Sequence, residues 1–189
     1  MLLGMRLRPR SFVGAALLWC VAGTAASTPT ANTATQIWSN TQSVFHISKS
    51  ENHNEVHYAV RVDSKCHPVG PQPLFGYWRD FEKGPRAVSP LLSHELPAYG
   101  LMPVRSIEQS DAGGKVRVSL RAFPERLLTV EIQRAGASCA ARAVTTLQKQ
   151  PAALNSIFVQ IGFLFSVEYA IARGARLPDG SALQEKLHD

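Results

Sequence analysis

Apolar and polar side chains alternate with a period of two residues over much of this chain, and this feature constrains the fold more than any other. Successive side chains of a β-strand point to opposite faces of a sheet, so the alternation predicts strands that each bury one face. It runs through residues 56–62, 115–122 and 128–133, and from 157 to 171 every odd position is apolar. The same pattern argues against a buried or membrane-spanning helix at 157–171.

The two strands predicted at 115–122 and 128–133 are expected to form a hairpin. Joining them across Phe123–Glu125 aligns their apolar faces and sets Arg117 opposite Glu131. A cross-strand pair of opposite charges stabilises such a hairpin by about a few tenths of a kcal/mol.

The segment Gly-Phe-Leu-Phe at 162–165 admits two interpretations. If the alternation continues through the glycine, Phe163 and Phe165 are buried, and we favour this because no polar turn residue occurs before Ser166. If the segment is instead the tip of a hairpin, Phe163, Leu164 and Phe165 are exposed. An exposed apolar patch of this kind predicts contact with a membrane or a partner.

Two local signals complete the predicted elements. Ser89 and Pro90 have the residue types of a helix N-cap and of the first helical position, and Pro97 is expected to end the helix. The sequence Pro-Asp-Gly at 178–180 is a turn signal, so residues 182–187 are predicted as a short last strand.

Many short strands with one short helix are typical of an all-β protein whose strands are mainly antiparallel. We predict a single-domain barrel or sandwich of hairpin-linked strands. We favour the barrel over the sandwich because the strands are expected to pair in sequence order.

The N-terminus carries the pattern of an export signal. Three arginines between positions 6 and 10 precede an apolar run at 12–23, and small residues at 24–26 suit cleavage before Ser27. A run of about 12 apolar residues is too short for a membrane anchor, since ~30 Å of hydrocarbon takes roughly 20. Lipid attachment at Cys20 is disfavoured because Trp19 stands where that signal has a small residue. Residues 1–26 are therefore predicted to be a signal peptide of a periplasmic, cell-envelope or extracellular protein.

The expected mature chain divides into a leader and one domain. Residues 27–36 are mostly Ser, Thr, Ala and Asn, which predicts a disordered leader, and residues 37–189 are predicted to form a single β-rich domain. Removing the signal takes three of the 20 basic side chains and none of the 14 acidic ones. The remaining net charge of about +3 predicts no nucleic-acid binding.

Cys66 and Cys139 are the two cysteines that remain after cleavage. In an exported protein an even number of cysteines predicts a disulfide. Two separate buried thiols are the alternative. Neither cysteine has the neighbours typical of a metal site.

Several short segments of the chain resemble one family. They are Phe45-His46-Ile47, Ser50, Asn52, Asn54, Val56 and Tyr58, then Tyr77-Trp78, residues 95–100, and finally Gly174, Asp179-Gly180 and Glu185. In these residues the chain resembles the family called domain of unknown function 4833, over nearly all of the mature sequence. The resemblance implies a single domain. Because the activity of that family is unknown, it transfers no catalytic residue.

Four histidines lie close together in sequence, at positions 46, 53, 57 and 67. If the apolar residues on each side of the 49–54 turn align, His46 lies directly opposite His57, whereas a shift of two residues places Glu55 there instead. Imidazole is a common ligand of zinc and copper. We favour the simpler interpretation, in which both imidazoles lie on the polar face of a hairpin without a metal.

The other candidate binding residues are polar or aromatic. Asn52 and Asn54 lie in a polar loop that either binds a ligand or, as we favour, hydrogen-bonds its own backbone to form the turn. Tyr77, Trp78 and Tyr99 each join an apolar ring to a polar tip, and they either line a pocket or pack in the core. The complete candidate set is His46, Asn52, Asn54, His57, Tyr77, Trp78 and Tyr99.

The sequence contains no G-x-S-x-G, H-E-x-x-H, P-loop or dinucleotide-binding motif. We therefore predict an exported envelope domain that binds a small ligand or an envelope component without catalysis and without a cofactor or metal. Whether the protein is an enzyme stays open. The alternative is a hydrolase or metal-dependent enzyme that acts on envelope material through the two opposed histidines with Asp63, Asp80 or Glu95. A purely structural envelope component is the third possibility.

Overall fold

The computed structural model describes residues 40–163, 167–177 and 179–187, all of which belong to one compact unit. The predicted signal peptide and leader, as well as Leu164 and Phe165, lie outside these residues. Eleven strands make up most of the described chain. They are β1 (Thr41–Lys49), β2 (Glu55–Arg61), β3 (Leu74–Arg79), β4 (Val88–Pro90), β5 (Ser106–Ser110), β6 (Gly113–Leu120), β7 (Phe123–Ala135), β8 (Ser138–Leu147), β9 (Gln150–Ile161), β10 (Val167–Arg176) and β11 (Ala182–Leu187).

The strands form one sheet in the order β4-β3-β2-β1-β9-β8-β7-β6-β5, and β10 lies on the other edge of β9 with β11 beside it. β9 pairs antiparallel with β8 through residues 150–154 and parallel with β1 through residues 156–159. Its register with β10 shifts between these two stretches. The sheet therefore folds over at β9, so that β1–β4 and β5–β8 form the two halves of a sandwich-like structure. The all-β prediction is confirmed, but the preference for a closed barrel was wrong.

One hydrophobic core lies between the two halves. Tyr58, Val60 and Leu74 enter it from β2 and β3, and Val118 and Val130 enter it from β6 and β7; all are fully buried. A single contiguous cluster means that neither half buries its apolar face alone.

The disulfide between Cys66 and Cys139 is confirmed, with a Cα–Cα distance of 5.5 Å. Cys66 lies in the loop after β2 and Cys139 lies near the start of β8. The bond therefore joins the two halves of the sheet covalently.

The β6–β7 hairpin exists, but its predicted register was wrong by two residues. Lys115, not Arg117, lies opposite Glu131, and their charged atoms are 3.4 Å apart. Arg117 lies opposite Thr129 and forms an ion pair with Glu108. The error arose because the chain turns before Phe123, where β7 begins, and the register then shifts between Ser119 and Leu120. The resulting difference of two residues leaves the alternation unchanged.

The interpretation of 157–171 as one continuous buried strand was also wrong. β9 ends at Ile161, β10 begins at Val167, and these two residues pair across an antiparallel hairpin. Phe163 lies at the tip and is 86% exposed. Gly162 directly follows β9, and a Cβ atom there would approach the Glu168 side chain to 2.5 Å.

The predicted helix occurs later in the chain than expected. Ser89 and Pro90 belong to strand β4, and the helix α1 spans Leu96–Tyr99 with Pro97 in its first turn. Proline is tolerated there because the first helical N–H groups have no partner within the helix. A 3₁₀ helix at Phe81–Lys83 was not predicted. The last strand, β11, is confirmed. No helix among the described residues is long and apolar enough to cross a membrane.

Candidate binding site

A cleft opens at one end of the strands, where β1 ends, β2 begins and β3 ends. Lys49 is the last residue of β1, Asn54 precedes β2 and Asp80 follows β3. These positions lie at the same end of the strands because neighbouring strands run antiparallel. The cleft, which we call the Trp78 cleft, has a volume of about 400 Å³. Its lining residues are Lys49, Asn54, Trp78, Asp80, Lys83, Ser89, Pro90, Leu92 and Glu95.

Trp78 and Glu95 form the inner part of the cleft. The indole Nε1 of Trp78 donates a hydrogen bond to Glu95 Oε2 at 2.9 Å, and the backbone N–H of Leu92 donates to the same oxygen at 2.7 Å. Tyr99 packs edge-on against the indole, with ring centroids 5.4 Å apart. Glu95 is the N-cap residue of α1. Its carboxylate is therefore held in one place by two donors.

Asp80 supplies a second carboxylate that is only 8% exposed. Its Oδ2 accepts a hydrogen bond from the Ser89 hydroxyl at 2.7 Å, and Lys83 Nζ lies 3.4 Å from the same oxygen. Ser89 is brought there by the pairing of β4 with β3, in which it lies opposite Trp78. A buried carboxylate remains charged at low cost only when such partners are present.

Lys49 supplies an ammonium group on the other side of the cleft. Its Nζ lies 5.2 Å from the Trp78 ring centroid and 3.1 Å from Glu51. The lining thus contains two ammonium groups, from Lys49 and Lys83, and two carboxylates. The two positive and two negative charges balance, and together these groups offer both donors and acceptors to a ligand.

Of the candidate residues, Asn54 and Trp78 line the cleft. Asn52 acts on the loop itself, because its Oδ1 accepts a hydrogen bond from the backbone N–H of Asn54 at 3.1 Å. Tyr99 supports Trp78 from behind and accepts a hydrogen bond on its carbonyl from the Tyr58 hydroxyl at 2.7 Å. The turn-forming role that we favoured for the loop is therefore confirmed for Asn52.

His46 and His57 are directly opposite each other, as predicted. Their rings stack with centroids 5.3 Å apart, and the Glu55 carboxylate lies 2.7 Å from His57 Nε2 and 4.0 Å from His46 Nε2. Burial lowers the pKa of His57, although the Glu55 carboxylate opposes this shift. Tyr77 is buried beside His57, with ring centroids 6.0 Å apart.

These three residues lie on the face of the sheet opposite the Trp78 cleft, because they alternate with core residues such as Val56 and Trp78. The described part of the chain contains no cluster of three or more His, Cys, Asp or Glu side chains that could hold a metal ion. The structure therefore splits the candidate residues into two groups on opposite faces.

The acids considered for the enzyme alternative are also separated from the histidines. Asp80 and Glu95 lie in the cleft. Asp63 forms the turn that precedes Cys66, and its Oδ1 accepts backbone hydrogen bonds from Lys65 and His67, both at 2.8 Å. The hydrogen bond from the His67 backbone is the main cause of its lowered pKa. No catalytic constellation of these acids with His46 and His57 is formed.

Five cleft residues were not among the sequence candidates: Lys49, Lys83, Ser89, Pro90 and Leu92. Lys49 follows the apolar alternation of β1, and nothing in its neighbours indicates that it reaches over Trp78. Ser89 was assigned to a helix N-cap. Its position opposite Trp78 becomes visible only once β3 and β4 are paired.

A comparison with protein families identifies the chain over most of its length. The model of the family described as domain of unknown function (DUF4833) matches residues 45–186. No curated protein and no solved structure was found to match the chain. The matched residues include nine of the described strands in full, from β2 to β10, together with the Trp78 cleft. The chain belongs to the DUF4833 family.

Proposed function

We propose that this protein is an exported cell-envelope domain that binds a small polar ligand in the Trp78 cleft without catalysing a reaction. The arginine-rich, apolar N-terminal sequence supports export. A disulfide is also typical of proteins that fold in an oxidising compartment.

The observation that carries the proposal is the charge pattern of the cleft. A volume of about 400 Å³ is within the range of small-molecule sites, roughly 300–1,000 Å³. Asp80 and Glu95 offer acceptors, whereas Lys49 and Lys83 offer donors. A ligand that both donates and accepts hydrogen bonds, such as a sugar or a zwitterionic amine, matches this lining better than a lipid chain or a polyanion does.

The proposal is tested by calorimetric titration of the mature protein with a panel of neutral mono- and disaccharides and zwitterionic amino acids. We expect Asp80→Asn and Glu95→Gln to weaken binding of the panel member that binds best by about ten-fold or more, because each removes a hydrogen bond to a charged group. Glu125→Gln, an exposed carboxylate outside the cleft, is the matched control. Absence of binding across the panel, or equal affinity for all three variants, contradicts the proposal.

A second candidate function, a hydrolase acting on envelope material, is favoured by one contact. The Ser89 hydroxyl donates to the buried Asp80 carboxylate at 2.7 Å, and a serine beside a base is the starting arrangement for nucleophilic catalysis. Its test is hydrolysis of p-nitrophenyl acetate by the purified protein. Activity abolished by both Ser89→Ala and Asp80→Asn would replace simple binding as the function.

Membrane contact through Phe163, Leu164 and Phe165 is a further part of the proposal. It is supported by the 86% exposure of Phe163 at the tip of the β9–β10 hairpin. The next two residues in sequence, Leu164 and Phe165, are also apolar, and contiguous exposed apolar patches mark sites that meet a membrane or a partner. We expect the Phe163→Ala variant to sediment less with phosphatidylglycerol vesicles than the unmodified protein. Equal sedimentation contradicts the contact.

A further inference from the structure

The sheet face opposite the Trp78 cleft carries cations stacked on aromatic rings. We call this the outer face, and it consists of the side chains of β1–β3 and β9–β11 that alternate with the core residues. Three exposed cations lie over rings of the same face. They are Arg61 over Phe75 at 4.2 Å, Arg173 over Phe158 at 5.7 Å and Lys186 over Tyr169 at 4.6 Å from the ring centroid.

Strand pairing arranges the outer face in rows that cross the strands. One row contains His57, His46, Ser156, Arg173 and Gln184, each opposite the next on β2, β1, β9, β10 and β11. Every member of this row is polar. Strands lie about 4.8 Å apart, so the row is roughly 19 Å long. The adjacent row contains Glu55, Ser48, Phe158, Ile171 and Lys186.

The outer face is basic. Glu55 is the one carboxylate in these two rows, and this group contacts His57 and His46. Among the described residues no carboxylate forms an ion pair with Arg61, Arg173 or Lys186. Three cations are therefore available to an anionic partner, and cation–π contacts hold them in position.

We propose that the outer face binds an anionic polysaccharide. A carboxylate or sulfate of such a chain pairs with each of the three cations, and its hydroxyl groups hydrogen-bond to the polar row that includes His46, Ser156 and Gln184. The rows are long enough for several sugar units. This proposal is independent of the ligand proposed for the Trp78 cleft.

An anionic bilayer is the competing partner, and the packing of the rings argues against it. Phe75, Phe158 and Tyr169 are only partly exposed and lie beneath their cations. The two rows contain none of the large apolar side chains that are exposed elsewhere on the protein. Such a surface contacts charged groups but does not enter hydrocarbon.

The test measures binding of the mature protein to heparin, which is sulfated, and to polygalacturonate, which is carboxylated. Neutral dextran and phosphatidylglycerol vesicles serve as the comparison probes. We expect the protein to bind both anionic polymers, more weakly as the salt concentration rises. The double variant Arg173→Glu/Lys186→Glu is expected to lose at least ten-fold in affinity.

The matched control is Lys65→Glu/Arg86→Glu, which makes the same change in charge at two exposed positions outside the outer face. We expect it to lose less than three-fold in affinity. Equal losses in the two double variants, or binding to the vesicles but to neither polysaccharide, overturn the proposal. If the charge reversal unfolds the protein, Arg173→Gln/Lys186→Gln is compared with Lys65→Gln/Arg86→Gln. Asp80→Asn in the cleft should leave heparin binding unchanged, which separates this surface from the cleft.

Discussion

Removal of the Cys66–Cys139 disulfide is expected to cost this domain a large share of its stability. The bond closes a loop of 73 residues. The chain-entropy model assigns a loop of this length about 4 kcal/mol at 25 °C, because the crosslink restricts the unfolded chain. Domains of this size are stable by roughly 5–15 kcal/mol, so the double variant Cys66→Ala/Cys139→Ala should remain folded only marginally.

The assay is urea unfolding followed by tryptophan fluorescence, to which Trp78, buried in the folded protein, contributes. With a urea dependence of about 2 kcal/mol per molar, a loss of about 4 kcal/mol moves the midpoint down by roughly 2 M. The unmodified protein in reductant is the matched control. It loses the crosslink but keeps both sulfur atoms, so its difference from the double variant measures the packing of the fully buried Cys66 side chain.

A double variant that unfolds within about 0.5 M urea of the oxidised protein would contradict this prediction, since the crosslink would then contribute little to the free energy of unfolding. A reduced protein as stable as the oxidised one, beside a much weaker double variant, would also contradict it. That result would assign the stability to side-chain packing at Cys66 rather than to the closed loop.

The remaining predictions concern single positions. Phe163→Ala should change the free energy of unfolding by less than about 0.5 kcal/mol, because the ring is exposed; a loss of several kcal/mol in urea unfolding would restore the buried interpretation. Tyr58→Phe should destabilise the domain by about 1–3 kcal/mol in the same assay, because it leaves the partly buried carbonyl of Tyr99 without this donor. Burial lowers the pKa of His57 below its ordinary value of 6.5. As the pH falls below 6.5, the unfolded chain therefore binds a proton before the folded protein does, and the free energy of unfolding should decrease. His57→Gln should flatten this decrease in thermal unfolding midpoints measured between pH 7 and pH 5, and an unchanged slope would assign it to other groups. Intact-mass measurement of the exported protein should place its N-terminus within two residues of Ser27, and a mass that includes Met1 would exclude cleavage.

The histidine pair shows that the local alternation of apolar residues can predict the register of two strands. Apolar residues alternate on both sides of a short turn, and aligning them places His46 opposite His57, as the structure has it. The same method failed for Arg117 and Glu131. Both registers preserve the alternation, so the choice depends on where the chain turns and on the register shift between Ser119 and Leu120. The residues at 121–125 carry no strong turn signal.

The candidate site was only partly visible in the sequence for a different reason. Asn54 and Trp78 were selected for their residue types. Lys49 joins them only because β1 ends beside them, and Ser89 joins them only because β4 pairs with β3. Contacts between such distant segments depend on the pairing of whole strands. No local spacing reveals them.

Local patterns correctly predicted the strands at 56–62, 115–122, 128–133 and 182–187, the last turn and the cysteine pair, because side-chain alternation, turn residues and cysteine chemistry are local properties. They did not predict β3, β5 or β8, and β4 was predicted to be part of a helix. The tertiary structure decided how the strands assemble. β1 pairs parallel with β9 more than a hundred residues later, with His46 opposite Ser156, and this contact folds the sheet into two halves where a barrel was expected. It also decided that Phe163 lies at a hairpin tip, because the alternation in the sequence continues past Ile161, where β9 ends. The physical reason is common to both outcomes: a period of two specifies which face a side chain occupies, but not which strand becomes its neighbour.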